Sequence, residues 1–549
     1  MPQPFNIAQF LPQRARESPA RPAVICDHAP DDLGRTQLSF AELDADSDAL
    51  AWGLSVSGIN PGHRVLLAVR PGLNFIALTF ALFKLGAVPV LIDPGMGRKL
   101  LRGCVTRARP DALIGIALAC LLLRKAVPGP CFLAGTSPLN LFIRAPRIAT
   151  LRKANLSRGT FPIAQTTSDS LAAILFTSGG TGLPKGVCYE HGMFGAQVDA
   201  IRDAFNIQPG EIDLPAFPLF ALFSTALGTT CIIPDMNSSR PAQCNPDKLI
   251  DAIRARGVTY TFGSPAIWKR VGPRCLERGL ALPSLKRILM AGAPVRAEVL
   301  KPFEKILAPG SDVFIPYGAT EALPVSIMRG SEVLNETWPL TRQGKGFCVG
   351  TPLPGMKIRI LPLDNNSPSD NAIGEIAVSG PVVTKAYFDM PAETAQSKFI
   401  DPSSGELWHR MGDMGYLDAR GRLWFCGRKS HRVCAPDGSI FYSVCAEALL
   451  ESFIDQQFGL HTRAALAGIG TEKIRQPVLL LEAPNNALSK AMKNTIQDAW
   501  QKSSASKGLE KILFYPKHFP VDVRHNAKID REALSRWATL HGWPTPRGG

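Results

Sequence analysis

The chain has 549 residues, 45% of them hydrophobic and 19% charged, a globular composition with core enough for two or more domains, which excludes disordered and fibrous classes. Its net charge of +15 favours contact with nucleotides, acyl carboxylates, an anionic membrane or an acidic partner. The basic residues, among them Arg14, Arg144, Arg254 and Arg270, read as scattered and without aromatic interleaving, so no nucleic-acid partner is expected.

The twelve cysteines form no Cys-x-x-Cys pair, which argues against a zinc site or a disulfide framework and for reduced thiols in a cytoplasmic protein. The N-terminus lacks a signal pattern. The longest apolar run, 112–123, stops at Asp111 and Arg124 and is too short to cross a bilayer. A location in the cytoplasm, with peripheral membrane contact through the positive charge, is the expectation.

Short aliphatic runs alternate with amphipathic stretches through the first ~430 residues, the pattern of α/β layers. Strands are expected at 64–69, 88–92, 112–116, 171–176 and 287–290. The segment 75–92 reads as a buried helix followed by a strand despite Lys84. Residues 152–168 read as a surface connection, and 361–371 as a hairpin loop. A boundary is expected near Gly427-Arg428-Lys429-Ser430, giving domains 1–427 and 428–549. The second would be a small α/β unit with strands near 478–481 and 512–515 and a helix near 490–502.

Chemistry first announces itself after the strand at 171–176, in Thr177-Ser178-Gly179-Gly180-Thr181-Gly182-Leu183-Pro184-Lys185-Gly186. Glycines let backbone N–H groups approach an anion, and the hydroxyls and one ammonium complete a phosphate cradle. It is no Walker A loop, because Leu183 and Pro184 separate Gly182 from Lys185. After the strand at 287–290, Gly292, Ala293 and Pro294 could let a flat base approach the backbone. After a strand at 313–315, Tyr317-Gly318-Ala319-Thr320-Glu321 offers an aromatic face, a small residue, a hydroxyl and a lone carboxylate suited to Mg²⁺ beside phosphates. Asp413, in Met411-Gly412-Asp413, could accept both ribose hydroxyls, with Arg428 within reach of sugar or phosphate. Lys528 sits on a turn near the end. Singly each motif is weak; their order is the signal.

In that order the chain resembles the acyl-adenylate-forming superfamily of acyl-CoA synthetases, luciferases and peptide-synthetase adenylation domains. The resemblance runs from Phe5 to the Lys528 motif and includes Gly346-x-x-x-Gly350-x-Pro352 and Trp408–Asp413. It implies a large N-terminal domain of sheets and helices with a small mobile α/β domain hinged near Ser430. Thr177–Lys185 would grip the β,γ-phosphates of ATP. Gly292, Ala293, Pro294 and Tyr317 would line the adenine, and Gly318 would be part of the ATP site. Thr320 would contact the α-phosphate and Glu321 would hold Mg²⁺. Asp413 and Arg428 would bind the ribose, and Lys528 would bridge the acyl carboxylate and the α-phosphate.

Departures narrow the resemblance. Ala221 stands where many CoA ligases carry a His, Gly180 replaces a hydroxyl residue, Ala527 replaces a Gly, and 438–443 departs from the segment that shapes the CoA tunnel. With Pro234-Asp235-Met236, Arg240-Pro241-Ala242-Gln243, Gly263-Ser264-Pro265-Ala266 and Arg524–Ile529, the chain is similar to the olefin β-lactone synthetases. That implies adenylation of a long-chain 2-alkyl-3-hydroxy fatty acid and closure of a β-lactone by its own 3-hydroxyl. It also implies pathway partners: a thiolase-like enzyme, an α/β-hydrolase-like enzyme and a reductase. Phe217, Phe220, Ala221, Phe223 and Phe262, with Trp268, are candidate acyl-pocket walls. His191, His409 and His525 are candidate bases by residue type alone. The alternatives are a fatty acyl-CoA or acyl-carrier-protein ligase, and a non-catalytic nucleotide- or lipid-binding relative.

Overall fold

Two mixed sheets, each with a parallel part, organise the first 430 residues. The computed structural model describes residues 4–177, 184–363, 372–470, 475–521 and 529–542. One six-stranded sheet runs in the order Cys131–Leu133, Ala112–Gly115, Arg64–Ala68, Val88–Ile92, Leu171–Thr177, Lys185–Glu190. It is parallel except for the last pair, where Thr177 faces Lys185 and Phe176 faces Gly186. The aliphatic runs become its strands, as near-continuous hydrophobicity demands of strands covered on both faces.

Helix Leu73–Leu85 is buried along all 13 residues. Its Lys84 is tolerated there because Nζ reaches the carboxylates of Asp44 at 2.5 Å and Asp48 at 2.6 Å. A buried ammonium without partners would be prohibitively costly. The same logic corrects the reading of 152–168 as surface. Arg152 lies in helix Ile148–Asn155 and is fully buried, its Nε 2.8 Å from Asp46 and its Nη2 donating to the Asn74 Oδ1 at 2.9 Å. The acids that neutralise it lie some hundred residues earlier, so local sequence gives no warning.

A second, larger sheet carries the parallel strands Pro22–Ile25, Thr230–Ile232, Ile212–Pro215, Tyr260–Gly263, Arg287–Met290 and Asp312–Ala319 side by side. It then turns antiparallel through Ala322–Arg329, Phe347–Pro352, Leu423–Arg428, Leu407–Leu417, Gly374–Ser379 and Lys357–Leu361. At Gly350, φ is +85° and an added Cβ would fall 1.7 Å from the Ile327 carbonyl oxygen. Only glycine lets the two strands meet there.

Beyond Arg428, strands Ala464–Gly470, Arg475–Glu482 and Ile512–Tyr515 form a separate sheet. Helices Ser443–Phe458 and Lys490–Lys502 pack with it in one core, and Arg531–Gly542 with it in another. All twelve cysteines are free thiols. No helix among the described residues is long and apolar enough to cross a membrane.

Candidate active site

Thr320 and Glu321 are the two-residue turn of an antiparallel hairpin, with Ala319 paired to Ala322. Gly318 supports the turn by its lack of a side chain, since a Cβ would sit 2.5 Å from the Ala322 carbonyl oxygen. Both turn carbonyls are held from elsewhere in the chain. The Tyr189 hydroxyl donates to the Thr320 carbonyl at 2.6 Å. The Thr384 backbone N–H and hydroxyl donate to the Glu321 carbonyl at 2.9 and 3.1 Å. The turn is therefore clamped, and its two side chains leave it in a fixed direction.

The Glu321 carboxylate accepts a hydrogen bond from the Tyr387 hydroxyl at 2.8 Å. Lys185 Nζ lies over the same tyrosine ring, 4.7 Å from its centroid, a cation–π contact. One aromatic ring thus joins the lysine that ends the glycine loop to the acid of the hairpin turn. Behind it, Lys398 is buried, with Nζ donating to the Thr384 carbonyl at 2.5 Å and lying 3.3 Å from His409 Nδ1. Burial holds the Lys398 ammonium down to about 8. Burial, and then the neighbouring Lys398 charge, hold His409 well below its usual range, so the imidazole is neutral.

On the first strand of the hairpin, the Tyr317 hydroxyl donates to Asp413 Oδ2 at 2.7 Å. Arg428 Nη1 is 2.9 Å from Asp413 Oδ1, because Asp413 and Arg428 face each other across paired strands. Burial and the Asp413 charge push the Tyr317 phenol up, so it remains a donor. Gly292, Ala293 and Pro294 follow strand Arg287–Met290, beside strand Asp312–Ala319 that carries Tyr317. Gly292 and Pro294 are exposed. The carboxyl ends of adjacent parallel strands thus bring the flat-base candidates beside Tyr317, where open α/β sheets receive ligands.

A cavity with room for about one water, roughly 20 Å³, lies between helices His191–Phe205 and Phe220–Leu227 and the large sheet. Phe220, Phe223 and Phe262 line it. The Phe220 and Phe262 rings stack at 3.4 Å between centroids and 11° between planes. Phe217 and Ala221, expected as walls, do not line it. Phe217 meets Phe220 edge-on, and Ala221 belongs to the core on the other side of its helix. Trp268 is likewise core, against Phe303.

Sequence reasoning missed three polar residues around this cavity and, at the hairpin turn, Tyr387. Asp213 and Tyr260 line the cavity with Ser224. The Ser224 hydroxyl donates to Asp213 Oδ2 at 2.5 Å, and burial pushes the Asp213 carboxyl up to about 8. An acid inside the apolar strand Ile212–Pro215 was the available signal. Tyr387 had none, since it lies 66 residues from the carboxylate it touches.

The candidate base His191 is a core residue: its Nδ1 accepts from the Ile7 N–H at 3.2 Å, and burial lowers it to about 4. It anchors the N-terminal segment. Ser178, Gly179, Gly180, Thr181, Gly182, His525 and Lys528, and the side chain of Thr177, lie outside the described residues. Among the described candidates, contacts link Lys185 and Glu321 through Tyr387, and Tyr317, Asp413 and Arg428 through their side chains, with the hairpin joining the two groups.

Comparison with known proteins places the whole chain rather than its individual side chains. The AMP-binding enzyme family matches residues 11–388. An olefin beta-lactone synthetase of Stenotrophomonas maltophilia is 40% identical over 98% of this chain and 99% of its own length. One of Xanthomonas campestris pv. campestris is 40% identical over 97% of each. Among solved structures, amide bond synthetase McbA from Marinactinospora thermotolerans superposes with a TM-score of 0.78 at 21% identity, covering 97% of this chain and 99% of that one. O-succinylbenzoate coenzyme A synthetase (MenE) from Bacillus subtilis, in complex with ATP and a magnesium ion, gives 0.73 at 21% identity over 97% of this chain and 100% of its own. The chain belongs to the AMP-binding enzyme family and has the two-domain fold of the adenylate-forming enzymes.

Proposed function

We propose that this enzyme adenylates a long-chain 2-alkyl-3-hydroxy fatty acid with ATP and closes the adenylate to a β-lactone, releasing AMP and pyrophosphate. The observation that carries the reading is the 40% identity over 98% of the chain with an olefin beta-lactone synthetase. A substrate carboxylate oxygen attacks the α-phosphorus, and the bond to pyrophosphate breaks. The 3-hydroxyl oxygen then attacks the acyl carbon, the bond to AMP breaks, and the hydroxyl proton leaves. Both reacting groups belong to one molecule, so the second step carries little encounter entropy.

In this reading Lys185 and the glycine loop hold the β,γ-phosphates, Tyr317 and residues 292–294 flank the adenine, and Asp413 with Arg428 takes the ribose. Thr320 faces the α-phosphate. Glu321 fits Mg²⁺, because a lone carboxylate leaves most positions to phosphate oxygens and water. When bound, the ion neutralises phosphate charge. Tyr387 orients the carboxylate, and Lys528, carried by a small domain of residues 428–549, completes the positive cradle. Such preorganised charges are typically worth about 10²–10³-fold each in rate. Phe220, Phe223 and Phe262 would part to admit an alkyl chain. The compartment proposed is the cytoplasm, and the partners are enzymes that make the hydroxy acid and consume the lactone.

The test is a mass-spectrometric product assay with ATP, Mg²⁺ and a racemic 2-alkyl-3-hydroxy fatty acid, with and without CoA. A product one water lighter than the substrate, formed with AMP and indifferent to CoA, is expected. A CoA thioester appearing only with CoA would move the chain to the acyl-CoA ligases. Lys528→Ala is expected to lose nearly all pyrophosphate release while retaining ATP binding by calorimetry. Normal pyrophosphate release would remove that lysine from the reaction.

A further inference from the structure

The positive charge is not spread as evenly as the sequence first suggests. Residues 94–160 hold twelve Lys or Arg against a single acid, Asp111. Of these only Arg152 is buried. The segment builds the outer edge of the six-stranded sheet, at the end remote from Lys185.

Helix Ala117–Leu123 in this segment is laid on the sheet by Ala117, Cys120 and Leu123, which are buried. Its opposite face, at spacing i, i+3, i+4, carries Leu118, Leu121 and Leu122, all exposed, where a water-facing helix would carry charge. The helix packs against the turn Pro138–Phe142, whose Leu141 and Phe142 are 83% and 77% exposed. Two elements therefore present large apolar side chains to solvent side by side. Arg124 and Lys125 follow the helix, Arg144 and Arg147 follow the turn, and all four are exposed.

We propose that this face docks the enzyme on an anionic bilayer, with Leu118, Leu121, Leu122, Leu141 and Phe142 entering the headgroup–acyl boundary and the flanking cations on the lipid phosphates. A contiguous exposed apolar patch marks an interaction surface. Its charge selects the occupant: protein interfaces are depleted of charge at their core, whereas amphipathic surfaces with basic flanks are the mark of attachment to anionic lipid. Attachment needs no turnover, so its test stands apart from that of the proposed reaction.

The test is flotation of the full chain with vesicles of phosphatidylcholine alone or mixed with phosphatidylglycerol. The bound fraction is expected to be about tenfold higher on the mixed vesicles and to fall in 0.5 M salt, as polybasic attraction requires. Leu141→Ser with Phe142→Ser should lower it about tenfold through lost apolar burial. Arg124→Glu with Lys125→Glu should abolish the preference for anionic vesicles. Leu118→Gln with Leu121→Gln supplies the same readout from the helix if the first pair fails to fold. Binding that is indifferent to all three pairs would overturn the proposal. So would failure to float together with a concentration-dependent dimer that the Leu141/Phe142 pair dissolves, which would assign the face to a second copy of this chain.

Discussion

Tyr387 orients Glu321 through one hydrogen bond of 2.8 Å, and a hydrogen bond to a charged group contributes about 1.5–3 kcal/mol. Tyr387→Phe removes that bond and keeps the ring under Lys185. We expect the Mg²⁺ concentration for half-maximal pyrophosphate release to rise about tenfold, with ATP binding in the absence of metal unchanged. An unaltered Mg²⁺ titration would show that the tyrosine does not orient a metal ligand. Asp213 gives a pH-dependent stability. Its carboxyl is pushed from 3.8 to about 8 by burial, so between those values the folded chain keeps a proton that the unfolded chain has released. Stability attributable to this group therefore falls as pH rises through that window, by up to about 1.4 kcal/mol per pH unit. Asn at this position cannot ionise. The melting temperature of Asp213→Asn relative to the parent should climb between pH 5 and pH 8, and a constant difference would mean that Asp213 is ionised in the fold.

At the scale of elements, the hairpin turn is the device on which the candidate site depends. Gly318→Ala would drive a Cβ to 2.5 Å from the Ala322 carbonyl oxygen, and overpacking of this kind costs about 1–3 kcal/mol. Adenylation should fall well beyond what the lowered melting temperature explains, because Thr320 and Glu321 move with the turn. A variant with parental adenylation would show that the turn tolerates displacement. This element was legible in advance: Tyr-Gly-x-Thr-Glu after an aliphatic run reads as a strand feeding a turn. The strand at 313–315 was read too short, since Asp312–Ala319 includes Tyr317 itself. Residues 152–155, the end of helix Ile148–Asn155, were read as connection because Arg152 is neutralised by acids far away in sequence. Strands identified by aliphatic runs survive such ignorance, because their burial is written in their own residues. Polar residues paired over long range are not legible in this way.

At the scale of the molecule, helix Ser443–Phe458 meets the larger body through ion pairs. Arg296 reaches Glu451 at 2.5 Å and Arg342 reaches Asp455 at 2.8 Å. Arg342 Nε also donates to the Ser452 hydroxyl at 3.1 Å. Half-exposed pairs contribute only about 0.2–1 kcal/mol each, which suits a contact that must be remade if the small domain turns. Arg296→Ala with Arg342→Ala should speed limited proteolysis near residues 429–439 severalfold while leaving the melting of the larger body unchanged. Equal cleavage rates would mean that these pairs do not hold the docked arrangement. The two-domain fold was readable from the change of pattern in the last part of the chain. The ion pairs were not, because each joins side chains more than a hundred residues apart.

The clamped turn also has a consequence for how the chain acquires function during synthesis. Tyr189 meets Thr320 across 131 residues, Tyr387 meets Glu321 across 66, and Tyr317 meets Asp413 across 96. Contacts of such sequence separation are entropically costly to close and form late. A nascent chain that has emerged only to residue 380 holds the glycine loop and the hairpin but neither Tyr387 nor Asp413. In the proposed reading, nucleotide recognition then waits on the antiparallel half of the large sheet, which brings Asp413 to Tyr317.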